Sequence, residues 1–126
     1  MDRTVYLDYA ATTPVDPRVT EAMLPFLTER FGNPNSLYAL GRYTAHAHEE
    51  ARERVAASIG AERPGEVVFT SGGTESDNTA IIGLATAGGR SSGHVIVSAF
   101  EHHAVLDPAR WLAGRGFEVT ELAPRA

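Results

Sequence analysis

Ser71-Gly72-Gly73-Thr74 follows directly on the β-branched and aromatic run Val67-Val68-Phe69-Thr70 and leads into an Ala/Ile/Leu segment. That order predicts a strand over 66–70, a tight glycine turn and a helix over 75–87. A helix opening after a glycine turn offers unpaired backbone N–H groups and the positive end of its dipole, a combination that favours a bound phosphate. Thr74 adds a hydroxyl at the same place. Taken alone, the turn also matches an ordinary strand-to-helix junction with Ser71 or Thr74 as its cap. It is not a P-loop, because no lysine follows the glycines, and it lacks the third glycine of the dinucleotide fingerprint.

A second group of residues, Phe100-Glu101-His102-His103, lies just past another strand candidate, Val95-Ile96-Val97-Ser98. Adjacent parallel strands bring their C-terminal ends together, so His102 or His103 could overhang the anion seat. A histidine there could stack on a planar ligand or shuttle a proton. It also matches a helix-start histidine with no ligand. His46 and His48 stand two apart on a predicted helix and point to different faces, so no metal site is expected.

Composition narrows the chemistry further. All 11 basic residues are arginine, and there are no cysteines. An arginine stays protonated and cannot form a Schiff base as a lysine amine does. Any mechanism needing an amine side chain or a thiol on this chain is therefore excluded. The net charge of −5 argues against nucleic acid or an anionic membrane as the main partner. No apolar run approaches the ~20 residues that span a bilayer. The polar N-terminus does not resemble a signal peptide, and a cytoplasmic setting is expected.

The elements that must hold these residues read as α/β. Val5 to Leu7, with Thr4, is a short strand candidate. Asp16-Pro17 is a helix cap with a first-turn proline, and Pro25 predicts a kink or two shorter helical pieces. A long helix is expected over 40–59, with Tyr43, Ala47, Ala51, Val55 and Ile59 at four-residue steps, closed by Gly60. Its charged faces read as solvated. Strands at 66–70, 94–99 and 117–122 then alternate with helical stretches at 75–87 and 102–114. Asp107-Pro108 reads as another cap, which would leave the region around His102 as a separate turn or short helix. Such alternation indicates a mainly parallel sheet with right-handed crossovers. Three strands make a thin sheet, so the fold looks incomplete.

Four motifs occur in order: Leu7-Asp8-Tyr9-Ala10-Ala11-Thr12-Thr13-Pro14; Gly32-Asn33-Pro34-x-Ser36; Phe69-Thr70-Ser71-Gly72-Gly73-Thr74-Glu75-Ser76-Asp77-Asn78; and Glu101-His102-His103-Ala104-Val105-Leu106. Together they resemble the N-terminal portion of the cysteine desulfurases, pyridoxal-phosphate enzymes of the class V aminotransferase group. The resemblance covers essentially all of residues 1–126 and implies part of the large domain of a fold-type I enzyme, with no second domain. It implies that Gly73 and Thr74 bind the phosphate of pyridoxal 5'-phosphate. It further implies that His102 stacks on the pyridine ring and takes part in proton transfer. The Ala10-Ala11 loop and Asn33 would lie near the substrate entrance.

The implied reaction removes sulfur from L-cysteine, leaving alanine and an enzyme persulfide. The sulfur then goes to iron–sulfur cluster assembly, tRNA thiolation or a related acceptor, and a homodimer is implied. Selenocysteine lyase and other class V members are alternative activities. The chain has Tyr38 where family members often have His, and a phenol, with a reference pKa of ~10, is a poor proton carrier near neutral pH. The family's Schiff-base lysine, pyridine-pairing carboxylate and persulfide cysteine all lie downstream. The chain alone is therefore expected to be inactive: a fragment, or one half of a split enzyme completed by a second chain supplying Lys and Cys. A non-catalytic interaction protein reusing the fold is the remaining alternative.

Overall fold

A computed structural model describes residues 5–125. Its contacts divide into two compact units, which meet in sequence between Val67 and Val68.

The first unit is helical. Asp16 caps α1 (Pro17–Thr28), its Oδ1 accepting from the Arg18 amide at 2.9 Å, with Pro17 in the first turn. Pro25 does not divide this helix into two shorter pieces, one of the two expected outcomes; α1 runs through it as one element. Helix α2 (Ala39–Ile59) ends at Gly60, whose φ of 71° places it in the left-handed region that closes helices. Ala56 and Gly41 are its buried residues, whereas Val55, Ile59 and Tyr43 of the four-residue stripe stay partly or largely exposed. Four-residue steps drift around a helix of 3.6 residues per turn, so no single face collects them. Phe26 stacks against Tyr43 with ring centroids 6.4 Å apart. A single 3₁₀ turn, Pro64–Glu66, follows, and Arg52 donates to the Val67 carbonyl.

The loop carrying Gly32 to Ser36 is shaped by close backbone approach. Asn33 Oδ1 accepts from the Asn35 amide at 2.9 Å, and its carbonyl accepts from the Ser36 amide at 3.0 Å. A Cβ on Gly41 would lie 2.7 Å from the Asn33 carbonyl oxygen, so glycine lets α2 pass directly over this loop. Upstream, the Tyr6 hydroxyl donates to the carbonyls of Asp8 (2.9 Å) and Thr12 (3.1 Å), closing the turn that contains Ala10 and Ala11. Val5 to Leu7 form no strand; Thr4, the first residue of that expected strand, lies outside the described residues.

The second unit is α/β. In order it contains α3 (Gly73–Thr86), β1 (Gly93–Ser98), α4 (His103–Ala113) and β2 (Phe117–Leu122). The two strands pair in parallel, from Gly93 opposite Phe117 to Ser98 opposite Leu122, with α4 as the crossover. Ala104, Leu106, Ala109 and Leu112 of α4 pack with Phe117 as the core. Arg110 on α4 grips Glu121 on β2 with two hydrogen bonds, of 2.8 and 3.1 Å.

Two expectations fail here. Residues 66–70 form no strand: they pass from the 3₁₀ turn into extended chain with no ladder partner, and Val68 is 70% exposed. The sheet therefore has two strands, not three, among the described residues. Nor does Asp107-Pro108 begin a helix. Pro108 lies inside α4, which starts at His103, so the region around His102 is the start of that helix and not a separate element.

Candidate functional site

The start of α3 has no side-chain cap, because its N-cap residue is Gly72. The first amide with a helical acceptor is that of Ser76, bonded to the Gly72 carbonyl at 3.1 Å. The N–H groups of Gly73, Thr74 and Glu75 precede it and are the orphan donors of the first turn. The expected role of the glycines needs correcting. Neither adopts a left-handed φ, and Gly72, at φ 167° and ψ 178°, is simply extended. What they provide is access: a Cβ on Gly72 or Gly73 would meet nothing within 4 Å, so the backbone donors can be approached directly.

Side chains on either side brace this turn. The Thr70 hydroxyl donates to the Gly72 carbonyl at 3.1 Å and lies 2.6 Å from the Ser76 hydroxyl. Glu75 Oε2 accepts from the Ser71 amide (2.7 Å) and hydroxyl (2.6 Å). Those bonds, the hydroxyl first and the amide second, hold the Glu75 carboxyl below its ordinary value. Ser71's donors are thus taken, whereas the three first-turn amides have no helical acceptor and Thr74 is exposed. Residues 67–79 contain no arginine, so any anion here is held by N–H groups and the helix dipole without a countercharge from this segment.

His102 is the N-cap of α4. Its Nδ1 accepts from the Ala104 amide at 3.0 Å. In the neutral ring that assigns the proton to Nε2, and the exposed ring leaves Nε2 accessible. The His103 ring lies 6.3 Å away at 71°, with its Nδ1 3.8 Å from Asp107 Oδ1. Of the two histidines, His102 is the one fixed by a backbone hydrogen bond.

Asn78, for which no role is expected above, joins the two helix ends. The Asn78 carboxamide nitrogen lies 2.8 Å from the Thr74 carbonyl and 3.3 Å from the Ala104 carbonyl. Gly73, Thr74 and His102 therefore belong to one unit and sit on neighbouring helix starts. Contact between α3 and α4 brings them together, in place of the expected pair of adjacent strand ends. A local signal for Asn78 does exist in Pro108, which stands four residues after Ala104 and has no N–H to offer it. Tyr38, Asn33, Ala10 and Ala11 belong to the other unit. Among the described residues no group of three metal-ligating side chains converges, and no helix is long and apolar enough to cross a membrane.

The family model described as aminotransferase class-V matches residues 5–126. The chain belongs to the class-V aminotransferase family. Cysteine desulfurase IscS of Dictyoglomus turgidum is 57% identical over 122 residues, 97% of this chain and 31% of that protein. The enzyme of the same name from Methanosarcina thermophila is 54% identical, over 96% of this chain and 30% of its own length. The solved structure described as SspA in complex with cysteine superposes with a TM-score of 0.87 at 43% identity, covering 97% of this chain and 35% of that one. DndA from Streptomyces lividans gives a TM-score of 0.72 at 50% identity, covering 94% and 33%. The chain thus spans about a third of the length of these relatives. Class-V aminotransferases are pyridoxal-phosphate enzymes, and this chain has part of their α/β fold, with two strands of the sheet.

Proposed function

We propose that this chain supplies the phosphate seat and the ring-stacking histidine of a pyridoxal-phosphate-dependent cysteine desulfurase. One observation carries the reading: in a class-V aminotransferase chain, an uncapped, glycine-opened helix start is tied to a histidine-capped one. The donor set suits the cofactor's phosphate. Three backbone amides without helical acceptors share an exposed turn with the Thr74 hydroxyl, and no Cβ obstructs Gly72 or Gly73.

His102 offers an exposed ring face to the pyridine. Its Nδ1 is committed to the Ala104 amide, so proton transfer falls to Nε2. Bound pyridoxal phosphate supplies an electron sink for charge developing on an amino-acid substrate. With L-cysteine as that substrate, the carbon–sulfur bond breaks and the sulfur passes to a thiol, giving alanine and a persulfide. The names of the relatives, and the cysteine in the description of one of them, support this choice. The thiol, and the amine that captures the cofactor aldehyde, come from outside these residues, which include no Cys and only Arg among the basic side chains. Delivery of the sulfur to iron–sulfur cluster assembly, a homodimeric state and a cytoplasmic setting complete the proposal.

The test compares pyridoxal phosphate with pyridoxal in the full-length enzyme. Thr74→Ala should weaken pyridoxal phosphate by ~1–2 kcal/mol, the size of one hydrogen bond to a charged group, and leave pyridoxal unaffected. His102→Ala should lower turnover while phosphate affinity changes little. Unchanged pyridoxal-phosphate affinity in Thr74→Ala would overturn the seat.

A further inference from the structure

A proline sits inside α4, and its position has a consequence for the site. In a regular helix the carbonyl of residue 104 accepts from the amide of residue 108. Here residue 108 is proline, which has no N–H and whose ring crowds that same carbonyl. The Ala104 oxygen is left without its helical donor at a residue that is only 6% exposed. Asn78 on α3 fills the vacancy, with Nδ2 3.3 Å from the Ala104 oxygen. The same nitrogen is 2.8 Å from the Thr74 oxygen, and a carboxamide NH₂ has two protons, one for each carbonyl. Leucine, of nearly the same shape, has none.

The two carbonyls are not arbitrary ones. Thr74 carries the hydroxyl and amide of the proposed phosphate seat, and the Ala104 amide is the donor that fixes the His102 ring. We infer that Asn78 is a positioning residue, setting the separation between the phosphate seat and the His102 imidazole through its two carbonyl bonds. The inference rests on the function proposed above, but its physical content is the coupling between α3 and the His102 cap.

The test uses the full-length chain labelled with ¹⁵N, wild type and Asn78→Leu. Imidazole nitrogen signals report the His102 tautomer, and amide exchange is read at Ala104 and Leu112. Asn78→Leu should move the His102 Nδ1 signal away from that of a bonded acceptor. It should also speed Ala104 exchange roughly five- to tenfold, the effect of one neutral hydrogen bond, while Leu112 stays unchanged. Uniformly faster exchange along α4 with an unaltered His102 signal would reduce Asn78 to a structural residue and overturn the inference. So would no change at either position.

Inorganic phosphate titrated against the Gly73 and Thr74 amides forms a separate arm. Their silence in the wild type would count against the seat alone, while the His102 signal still decides the coupling. Should Asn78→Leu fail to fold, Asn78→Ser keeps one donor. The same local pattern at smaller amplitude is then expected, and an unchanged His102 signal would again overturn the inference.

Discussion

The carboxamide of Asn78 stands 3.3 Å from the carbonyl of Ala104, the one oxygen of α4 whose helical donor is removed by Pro108. This pairing makes the two residues energetically dependent. Asn78→Leu should cost ~1 kcal/mol or more, since a buried carbonyl loses its donor. In a Pro108→Ala background the helix supplies its own N–H, and the same substitution should cost about half as much. Urea unfolding of the four variants measures the coupling. Additive costs would mean that Asn78 and Pro108 act independently.

Acid should weaken the chain through identifiable carboxylates. The Arg110 guanidinium holds Glu121 below its ordinary value near 4.5, and the Ser71 hydroxyl and amide do the same for Glu75. In the window below that value the unfolded chain binds more protons than the folded one, so stability rises with pH. The contribution is complete above the unfolded value and disappears as pH falls through the lower folded values. Tm measured from about pH 7 down to about pH 3 should fall at the acid end. Glu121→Gln should flatten that fall, and salt should reduce the difference because the pair is exposed. A Glu121→Gln profile parallel to wild type would remove the pair from the account.

Two glycine-to-alanine changes should have opposite signs. Within α2, Gly41→Ala places a Cβ 2.7 Å from the Asn33 carbonyl oxygen, and overpacking of that kind costs ~1–3 kcal/mol. Within α3, Gly83→Ala meets nothing within 4 Å and should stabilise by ~0.5–1 kcal/mol through helix propensity. A Gly41→Ala urea midpoint that fails to fall would contradict the close approach over the Asn33 loop, and a Gly83→Ala midpoint that fails to rise would contradict the propensity argument.

Leu112 of α4 is completely buried in the unit that carries the site. Leu112→Ala should cost ~2–5 kcal/mol, the range for a truncated core leucine. Circular dichroism during urea unfolding checks it, and a loss below ~1 kcal/mol would mean that the surrounding side chains collapse into the space.

Much of this was legible in local pattern. Residues 117–122 read as a strand and are one, because β-branched and aromatic residues in the run mark it. Gly60 ends α2 as expected, since only glycine takes its left-handed φ at no cost. The two Asp-Pro pairs show where local reading stops. Asp16-Pro17 starts a helix, whereas Asp107-Pro108, the same dipeptide, lies inside one. The second pair is tolerated because its missing N–H is replaced from a residue thirty positions upstream, and no window around Pro108 contains that residue. The failed strand at 66–70 has a similar cause, since β propensity needs a neighbouring ladder that a short run cannot specify. Gly73, Thr74 and His102 could be singled out from motif; Asn78 stands in the same motif as Gly73 and Thr74, but its bond to Ala104, 26 residues on, could not be read there.

Pro108 also bears on how the second unit finds its arrangement during folding. Two apolar helix faces can slide past each other by a turn, ~5.4 Å, and still bury similar area. Here such a slip would carry Asn78 out of reach and leave the Ala104 oxygen without a donor. The proline thus acts as a keyway: it makes misdocked pairings of α3 and α4 costly while leaving the correct one fully satisfied.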